Sequence, residues 1–304
     1  MEHSFSQLNS RCIALGFFDG VHLGHAALIN KVKERAAEKG LSPAVLTFDI
    51  HPDTLVRKED FLLISNSAAR KELLSRCFGI DDVLVLRFDA QMMNMRWDDF
   101  LSWLVSGYGV SHIVAGYDFT FGVKGSGNAG NLLSWCKSHG IGCDVIDPVT
   151  VDGVVVSSTV IRELIRSGDM ERAGRFLGHP YCISDTVRSG FHIGRKMDAP
   201  TVNMKIPEGT VIPAFGVYAA KVILPDGSEH DSVTNIGVRP TFGDQNEVTV
   251  ESYILDFSAD IYGYTLRVDF YSFIRPERKF SDVFALSEQI KKDAESARKL
   301  LKTK

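Results

Sequence analysis

Between residues 12 and 146, short apolar runs alternate with stretches patterned for helix, and this alternation restricts the possible folds more than any other feature. The runs are CIALGF, AVLTF, VLVLRF, HIVAG and GCDVI. Helical patterns separate them, beginning near His25 and Ala68 and covering Trp97 to Val105 and Leu132 to His139. A helix between successive strands forces the chain to cross over and re-enter in the same direction, so the alternation predicts a doubly wound parallel sheet.

The pattern changes after VVVSSTVIREL. Two helices follow, the second starting near Asp169 and ending before Gly178 and Pro180, where stop signals accumulate. A domain boundary is therefore expected near Tyr181, giving domains of residues 1–181 and 182–304. Beyond it FGVYAAKVIL, LPDGSE, SVTNIG, EVTVESYIL and LRVDFYSF are β-rich runs with turn signals such as Asp226-Gly227, which predicts an antiparallel β-barrel. In the tail Leu286, Ile290, Ala294, Ala297 and Leu301 recur at helical spacing behind Ser281, a suitable N-cap, so a C-terminal helix should pack on the barrel. A chain of 304 residues is long enough for two such cores.

A net charge of −4 gives no broad attraction to nucleic acid or to an anionic membrane, and leaves small anionic substrates open. The β-barrel carries no aromatic-basic motif of an RNA-binding module. Five scattered cysteines without a CxxC pair argue against a zinc knuckle or a disulfide framework and fit a reducing compartment. The first residues, MEHSFSQLNSRC, show no signal pattern, and no apolar run approaches the roughly 18 residues of a membrane span, so a cytoplasmic protein is expected. These residues set no oligomeric state.

The stretch GFFDGVHLGH at 16 to 25 follows the first strand and opens the first helix. Gly16, Gly20 and Gly24 allow tight turns there, and the free N–H groups of a helix start favour a phosphate. His22 and His25, at i and i+3, would share a helix face and donate to one phosphate as charge builds during transfer. Helix capping or metal ligation are the plain alternatives, but zinc needs further ligands and only His51 stands as a conceivable one. Ser158 or Thr159 can cap a helix whose N-terminus faces phosphate, with Arg162 adding a bidentate guanidinium, unless this is an ordinary capped surface helix. Asp49 and Asp118 lie beyond predicted strand ends, where they would organise ribose, Mg2+ or flavin phosphate, or cap loops.

GFFDGVHLGH resembles the GxFDGxHxGH signature of prokaryotic FAD synthetases, within the HxGH nucleotidyltransferases. TFDIHP at 47 to 52, GYDFTFG at 116 to 122 and VSSTVIREL at 156 to 164 resemble that family's TFxPHP, GxDFxFG and SSTxIRxxL blocks, in order. The resemblance implies ATP binding by Gly16, Phe18, Asp19, Gly20, His22, Gly24, His25, Ser158, Thr159 and Arg162. It implies flavin or nucleotide contacts for Asp49, His51, Pro52, Asp118, Phe119 and Phe121.

In the second half GRKMDAPTVN at 194 to 203, TNIGVRPTFG at 234 to 243, TVESYILDF at 249 to 257 and RPERKF at 275 to 280 resemble riboflavin kinase. Gly194, Lys196, Thr201 and Asn203 would then serve ATP and Mg2+, with Thr201 and Asn203 as oxygen ligands of the cation. Strand alternation puts Val248, Val250 and Ile254 on one face and Thr249, Glu251 and Tyr253 on the other. Glu251 thus need not be buried in the core, and the resemblance makes it the base that takes the proton of the attacking ribityl hydroxyl.

Arg275 and Phe280 would belong to the flavin-binding flap, although RPERKF by itself reads as a solvated turn. Val202 replaces the family's usual Ala, and Asp198-Ala199 stands where Gly-Phe is common. Asp198 near ATP phosphates would either repel them or help hold Mg2+. The whole resemblance implies a bifunctional flavin enzyme: riboflavin and ATP to FMN, then FMN and ATP to FAD and pyrophosphate. A flavin-binding regulatory protein and an adenylyltransferase with an impaired kinase site are the alternatives.

Overall fold

The computed structural model describes residues 10–57, 61–188, 201–240, 246–259 and 261–302. The chain separates into two compact units, Met1–Ser157 and Ser158–Lys304.

In the first unit the elements run β1 (Arg11–Leu15), α1 (Leu23–Lys39), β2 (Ser42–Phe48), α2 (Pro52–Arg57), α3 (Ser67–Phe78), β3 (Val83–Leu86), α4 (Ala90–Met93), α5 (Trp97–Tyr108), β4 (Val110–Gly116), α6 (Ala129–His139) and β5 (Gly142–Ile146). A two-stranded hairpin of β6 (Thr150–Val151) and β7 (Val154–Val155) follows. Strands β1 to β5 are the five apolar runs, and they form a parallel sheet in the order β3-β2-β1-β4-β5. The predicted α/β sheet is therefore present. The short helices α2 and α4 and the hairpin are additions, too brief to show a period in the sequence.

Central strand β1 is almost wholly buried because helices cover both faces of the sheet. On one face Ile13, Leu15, Leu46 and Ile113 pack with Phe100, Leu101 and Leu104 of α5 and Leu132 and Trp135 of α6. Helix α1 packs across β1, β2, β4 and β5. The chain leaves β1 for β2 and β3 on one side and returns to β4 on the other. The C-terminal ends of β1 and β4 thus frame the switch point at which open α/β sheets bind ligands.

The second unit runs α7 (Ser158–Ser167), α8 (Met170–Leu177), β8 (Tyr181–Thr186), β9 (Thr201–Lys205), β10 (Gly216–Ile223), β11 (Glu229–Pro240), β12 (Asn246–Ile254), β13 (Thr265–Arg275) and α9 (Val283–Leu301). Its strands make an antiparallel sheet in the order β8-β13-β10-β11-β12-β9. The sheet curls until its two edge strands approach, where Arg188 and Asn203 form a bridge. This is the expected barrel. Its interior includes fully buried Tyr218 and Phe270, whose rings meet edge to face at 5.5 Å. The hydroxyls of Thr234 and Ser252, 2.9 Å apart, satisfy one another in the same interior.

Helix α9 lies on the outer face of β10, β11 and β13 and buries Ala297 and Leu301 against Val217, Ala219 and Val233, as its periodicity predicts. Its N-cap is Asp282 rather than Ser281: the Asp282 carboxylate accepts from the Ala285 N–H at 2.8 Å, and the Ser281 hydroxyl donates to Asp282. LPDGSE is the turn between β10 and β11 rather than a strand, closed by the Leu224 N–H on the Ser228 carbonyl at 3.0 Å. Helix α8 begins after Asp169 and ends at Gly178, as expected, and α8 packs on β8 and β13.

Candidate functional site

GFFDGVHLGH forms a strained turn between β1 and α1. Phe18, Gly20 and Val21 have φ of 60°, 72° and 45°. The left-handed region is costly for an ordinary side chain and most of all for a β-branched one, so the surroundings must impose it. Asp19 does much of this. It is buried, and its Oδ1 accepts from the backbone N–H groups of Ile64 and Ser65 at 2.8 and 3.0 Å, while the Ser65 hydroxyl accepts from the Gly20 N–H at 2.9 Å. Phe18 is fully buried beneath the turn.

The two histidines do not share a helix face as the spacing suggested. His22 has extended backbone and is the N-cap of α1, its Nδ1 accepting from the His25 N–H at 3.3 Å. Capping turns the ring back over the first helical turn, so the imidazoles stack, 3.6 Å between centroids and 11° from coplanar. The pair is together by a different route. Gly24 makes room for it: a Cβ there would stand 3.1 Å from Cε1 of His22.

Phe18 flanks His25 with ring centroids 4.8 Å apart. Burial, then the neighbouring His22 and the Arg70 guanidinium, hold the His25 imidazole well below its usual pKa of 6.5. It is neutral at physiological pH. Its Nδ1 is buried without a hydrogen-bond partner.

The other residues of this unit divide between the sheet edge and the core. Asp49, exposed beyond β2, caps a loop: its Oδ1 accepts from the Ile50 and Phe88 N–H groups at 2.9 and 2.8 Å. His51 stacks on Phe61 with centroids 3.9 Å apart and meets Phe17 edge-on at 4.6 Å, and Pro52 opens α2. Asp118 is exposed beyond β4. Phe119 stacks on Phe121, which is buried against Phe100.

Ser158, Thr159 and Arg162 fall in the second unit. Helix α7 begins at Ser158 itself, so Ser158 and Thr159 occupy its first turn and neither is the residue before the helix, which is Ser157. Arg162 is buried and donates from Nη2 to the Thr159 hydroxyl at 3.3 Å.

On the barrel, Glu251 of β12 stands directly opposite Asn203 of β9 on one side and Asn235 of β11 on the other. Thr201 is two residues from Asn203 along β9, so alternation puts Thr201, Asn203, Asn235 and Glu251 on one face. Val233 of the same alternation touches α9, so this is the outer face, beside the helix. Glu251 is half-buried and out of the interior, as the strand pattern predicted. Gly194, Lys196, Asp198 and Ala199 lie outside the described residues.

Arg275 is anchored by an ion pair to the C-terminal helix. Its guanidinium takes both oxygens of buried Asp293 on α9, at 2.8 to 3.1 Å, and lies 5.7 Å from the Phe280 ring centre. Arg278 stands over the same ring at 4.9 Å. Three residues escaped the sequence reading, Asn235, Glu277 and Arg70. Glu277 accepts from Asn235 Nδ2 at 3.1 Å and rests its carboxylate on Gly237, in the space a Cβ would fill. Arg70 is fully buried beneath the β1 and β2 ends. Its signal is a charge at i in an i, i+3, i+4 apolar stripe with Leu73 and Leu74.

The parallel sheet with its strained turn at the switch point and the barrel with Glu251 between Asn203 and Asn235 belong to a class of two-domain transferases. A family model described as FAD synthetase matches residues 4–160, and one described as riboflavin kinase matches residues 177–301. The chain belongs to the family of bifunctional riboflavin kinase/FMN adenylyltransferases. Relatives of that name are 36% identical in Listeria monocytogenes, over 95% of this chain and 92% of the relative, and 35% identical in Bacillus subtilis, over 94% and 90%. One in Escherichia coli K12 is 31% identical over 97% of this chain and 95% of the relative.

A crystal structure of a protein called macrolide-efflux protein, from Streptococcus pneumoniae, superposes with a TM-score of 0.84 at 32% identity, covering 95% of this chain and 94% of that one. Efflux is said of that protein. Among the described residues of this chain no helix is long and apolar enough to cross a membrane.

Proposed function

We infer that the chain phosphorylates riboflavin to FMN and adenylylates FMN to FAD, using ATP in both reactions. The observation that carries this reading is the presence of both constellations in one chain, the stacked His22–His25 pair at the switch point and the Asn203–Glu251–Asn235 row on the barrel. We assign the adenylylating part to residues 1–181 and the kinase to 182–304.

In adenylylation a phosphate oxygen of FMN bonds to the α-phosphorus of ATP and the bond to pyrophosphate breaks. The protein's task is to hold two anions in line and stabilise the charge between them. His22 and His25 do this as imidazole donors, and Arg162 with Ser158 and Thr159 holds the ATP phosphates, as the SSTVIREL block supports. Gly16, Phe18, Asp19, Gly20 and Gly24 contribute the shape of the turn. Asp118, Phe119 and Phe121 on one strand end and Asp49, His51 and Pro52 on another serve the flavin nucleotide.

In phosphorylation the ribityl hydroxyl oxygen bonds to the γ-phosphorus, ADP leaves, and Glu251 takes the hydroxyl proton. The Thr201 hydroxyl and the Asn203 carboxamide oxygen are hard donors on the face of Glu251, a set that fits Mg2+. Bound there, the cation would neutralise phosphate charge. Gly194 and Lys196 complete the ATP contacts in this reading, and Phe280 meets the flavin, with Arg275 as the strut that fixes its segment to Asp293. Five free cysteines support a cytoplasmic place for this chemistry.

The Glu277 contact provides a test confined to the kinase. Gly237→Ala puts a methyl group where the Glu277 carboxylate lies and pushes it off Asn235, the cross-strand neighbour of Glu251. Riboflavin phosphorylation should fall by roughly 10-fold, the worth of one good hydrogen bond, with FAD formation from supplied FMN unchanged. Steady-state assays of the two half-reactions on one preparation check this, since equal losses would mean unfolding.

A further inference from the structure

Arg70, near the start of α3, has no exposed surface, yet no motif includes it. Burying a guanidinium is unfavourable unless its donors are used, and a hydrophobic side chain of similar volume would usually serve stability as well. Its two terminal nitrogens are spent on two particular carbonyls and a hydroxyl, while Nε is buried without a hydrogen-bond partner. Nη1 donates to the Phe17 carbonyl at 2.6 Å and to the Thr47 hydroxyl at 2.8 Å, and Nη2 donates to the Phe48 carbonyl at 3.0 Å. The guanidinium carbon also lies 4.0 Å from the Phe17 ring centre.

Thr47 adds a second hold on the same point, its hydroxyl donating to the Phe17 carbonyl at 2.7 Å. Phe48 is the last residue of β2, and Phe17 lies two residues beyond the end of its neighbour β1. Phe17 immediately precedes the left-handed Phe18, and the strained turn ends at His22. A cation clamped on the Phe17 carbonyl therefore fixes the entry to the turn, as Asp19 fixes its middle. Burial lowers the Arg70 pKa to about 10, against the pull of Asp19 and Asp49, which still leaves it charged at neutral pH.

We propose that Arg70 is a positioning residue for adenylylation: it fixes the Phe17 and Phe48 carbonyls and so sets where the Phe18–Val21 turn presents His22 and His25. This rests on the reading that the turn serves FAD formation. It acts through the backbone and touches no substrate. Lysine has one ammonium and no fork, so it can reach one of these acceptors well and the set poorly.

The test uses the full chain with Arg70→Lys, Arg70→Met, Thr47→Val and the Arg70→Lys/Thr47→Val double variant, measuring both half-reactions and thermal melting. Arg70→Met should lower kcat for FAD formation by about 30- to 100-fold, the scale of a 1 Å misplacement, and the ATP KM by much less of a change. Riboflavin phosphorylation should stay within about two-fold, and Arg70→Lys should recover part of the loss. Thr47→Val should cost several-fold, and the double variant should be little worse than Arg70→Lys alone, because both side chains hold one carbonyl.

The proposal is overturned if Arg70→Met keeps kcat within about three-fold of the parent, or if the two losses simply multiply in the double variant. It is equally overturned if FAD formation falls only in proportion to the fraction unfolded. Should Arg70→Met fail to fold, the Lys and Val variants decide the matter by the same criteria. A parent chain that makes no FAD would sink the adenylylation reading itself, whereas an active parent with an unaffected Arg70→Met sinks only the role of Arg70.

Discussion

His25→Ala should lower FAD formation from FMN and ATP by roughly 100-fold or more while riboflavin phosphorylation in the same chain stays nearly intact. That magnitude is the loss of one preorganised donor in a site that develops charge. The structure explains why no neighbour replaces it. His25 stacks face to face on His22 and packs beside Phe18, so its removal leaves one imidazole, already engaged as the helix cap, where the turn had two. It also frees the ring of His22, which caps α1 and loses its stacking partner.

The pH dependence follows in sign. Burial first, then His22 and Arg70, push the His25 pKa down from 6.5, so His25 stays neutral as pH falls through the ordinary imidazole range. FAD formation between about pH 6 and 8 should therefore show no step from His25 titration. A 15N-resolved titration of the imidazole would check this, and an imidazolium already formed near pH 6.5 would contradict it.

Glu251→Gln should remove most of the riboflavin phosphorylation, by about 100-fold or more, and leave FAD formation from supplied FMN unchanged. The substitution keeps the side-chain volume and one acceptor oxygen but can no longer take a proton. Because Glu251 sits between Asn203 and Asn235 on the outer face of the barrel, glutamine fits the same strand positions and the fold should hold. Measured with His25→Ala, the two variants should be mirror images, each silent in the other's assay. Kinase turnover that survives Glu251→Gln would mean another group takes the proton.

Much of the fold was legible because it is written locally. Each strand of the parallel sheet is a continuous apolar run, since both its faces are covered, and Asp226-Gly227 marks the turn between β10 and β11. What escaped depends on contacts far apart in the chain. Arg70 meets Phe17, Thr47 and Phe48 across 53, 23 and 22 positions, and Glu277 meets Asn235 across 42. No window of local pattern spans those distances. The ion pair of Arg275 with Asp293, 18 positions on and in a different element, was likewise beyond local pattern.

Cap positions failed for a different reason. Ser281 and Asp282 are adjacent and both suited to capping, and only backbone geometry decides that Asp282 accepts from Ala285. The same limit applied at His22, where the i, i+3 spacing to His25 indicated proximity correctly but not the capping bond that produces it. Thr201, Asn203 and Glu251 were named from the motifs, and alternation along β12 kept Glu251 off the core face, whereas Asn235 emerged only with the register of β11 and β12 and Glu277 only with its bond to Asn235.

The most direct measurement is chromatographic separation of the flavins formed when the full chain is incubated with riboflavin, ATP and Mg2+. FMN should appear first and then decline as FAD accumulates, with ADP and pyrophosphate released. Riboflavin that remains bound and unchanged, or FMN that accumulates without any FAD, would contradict the account.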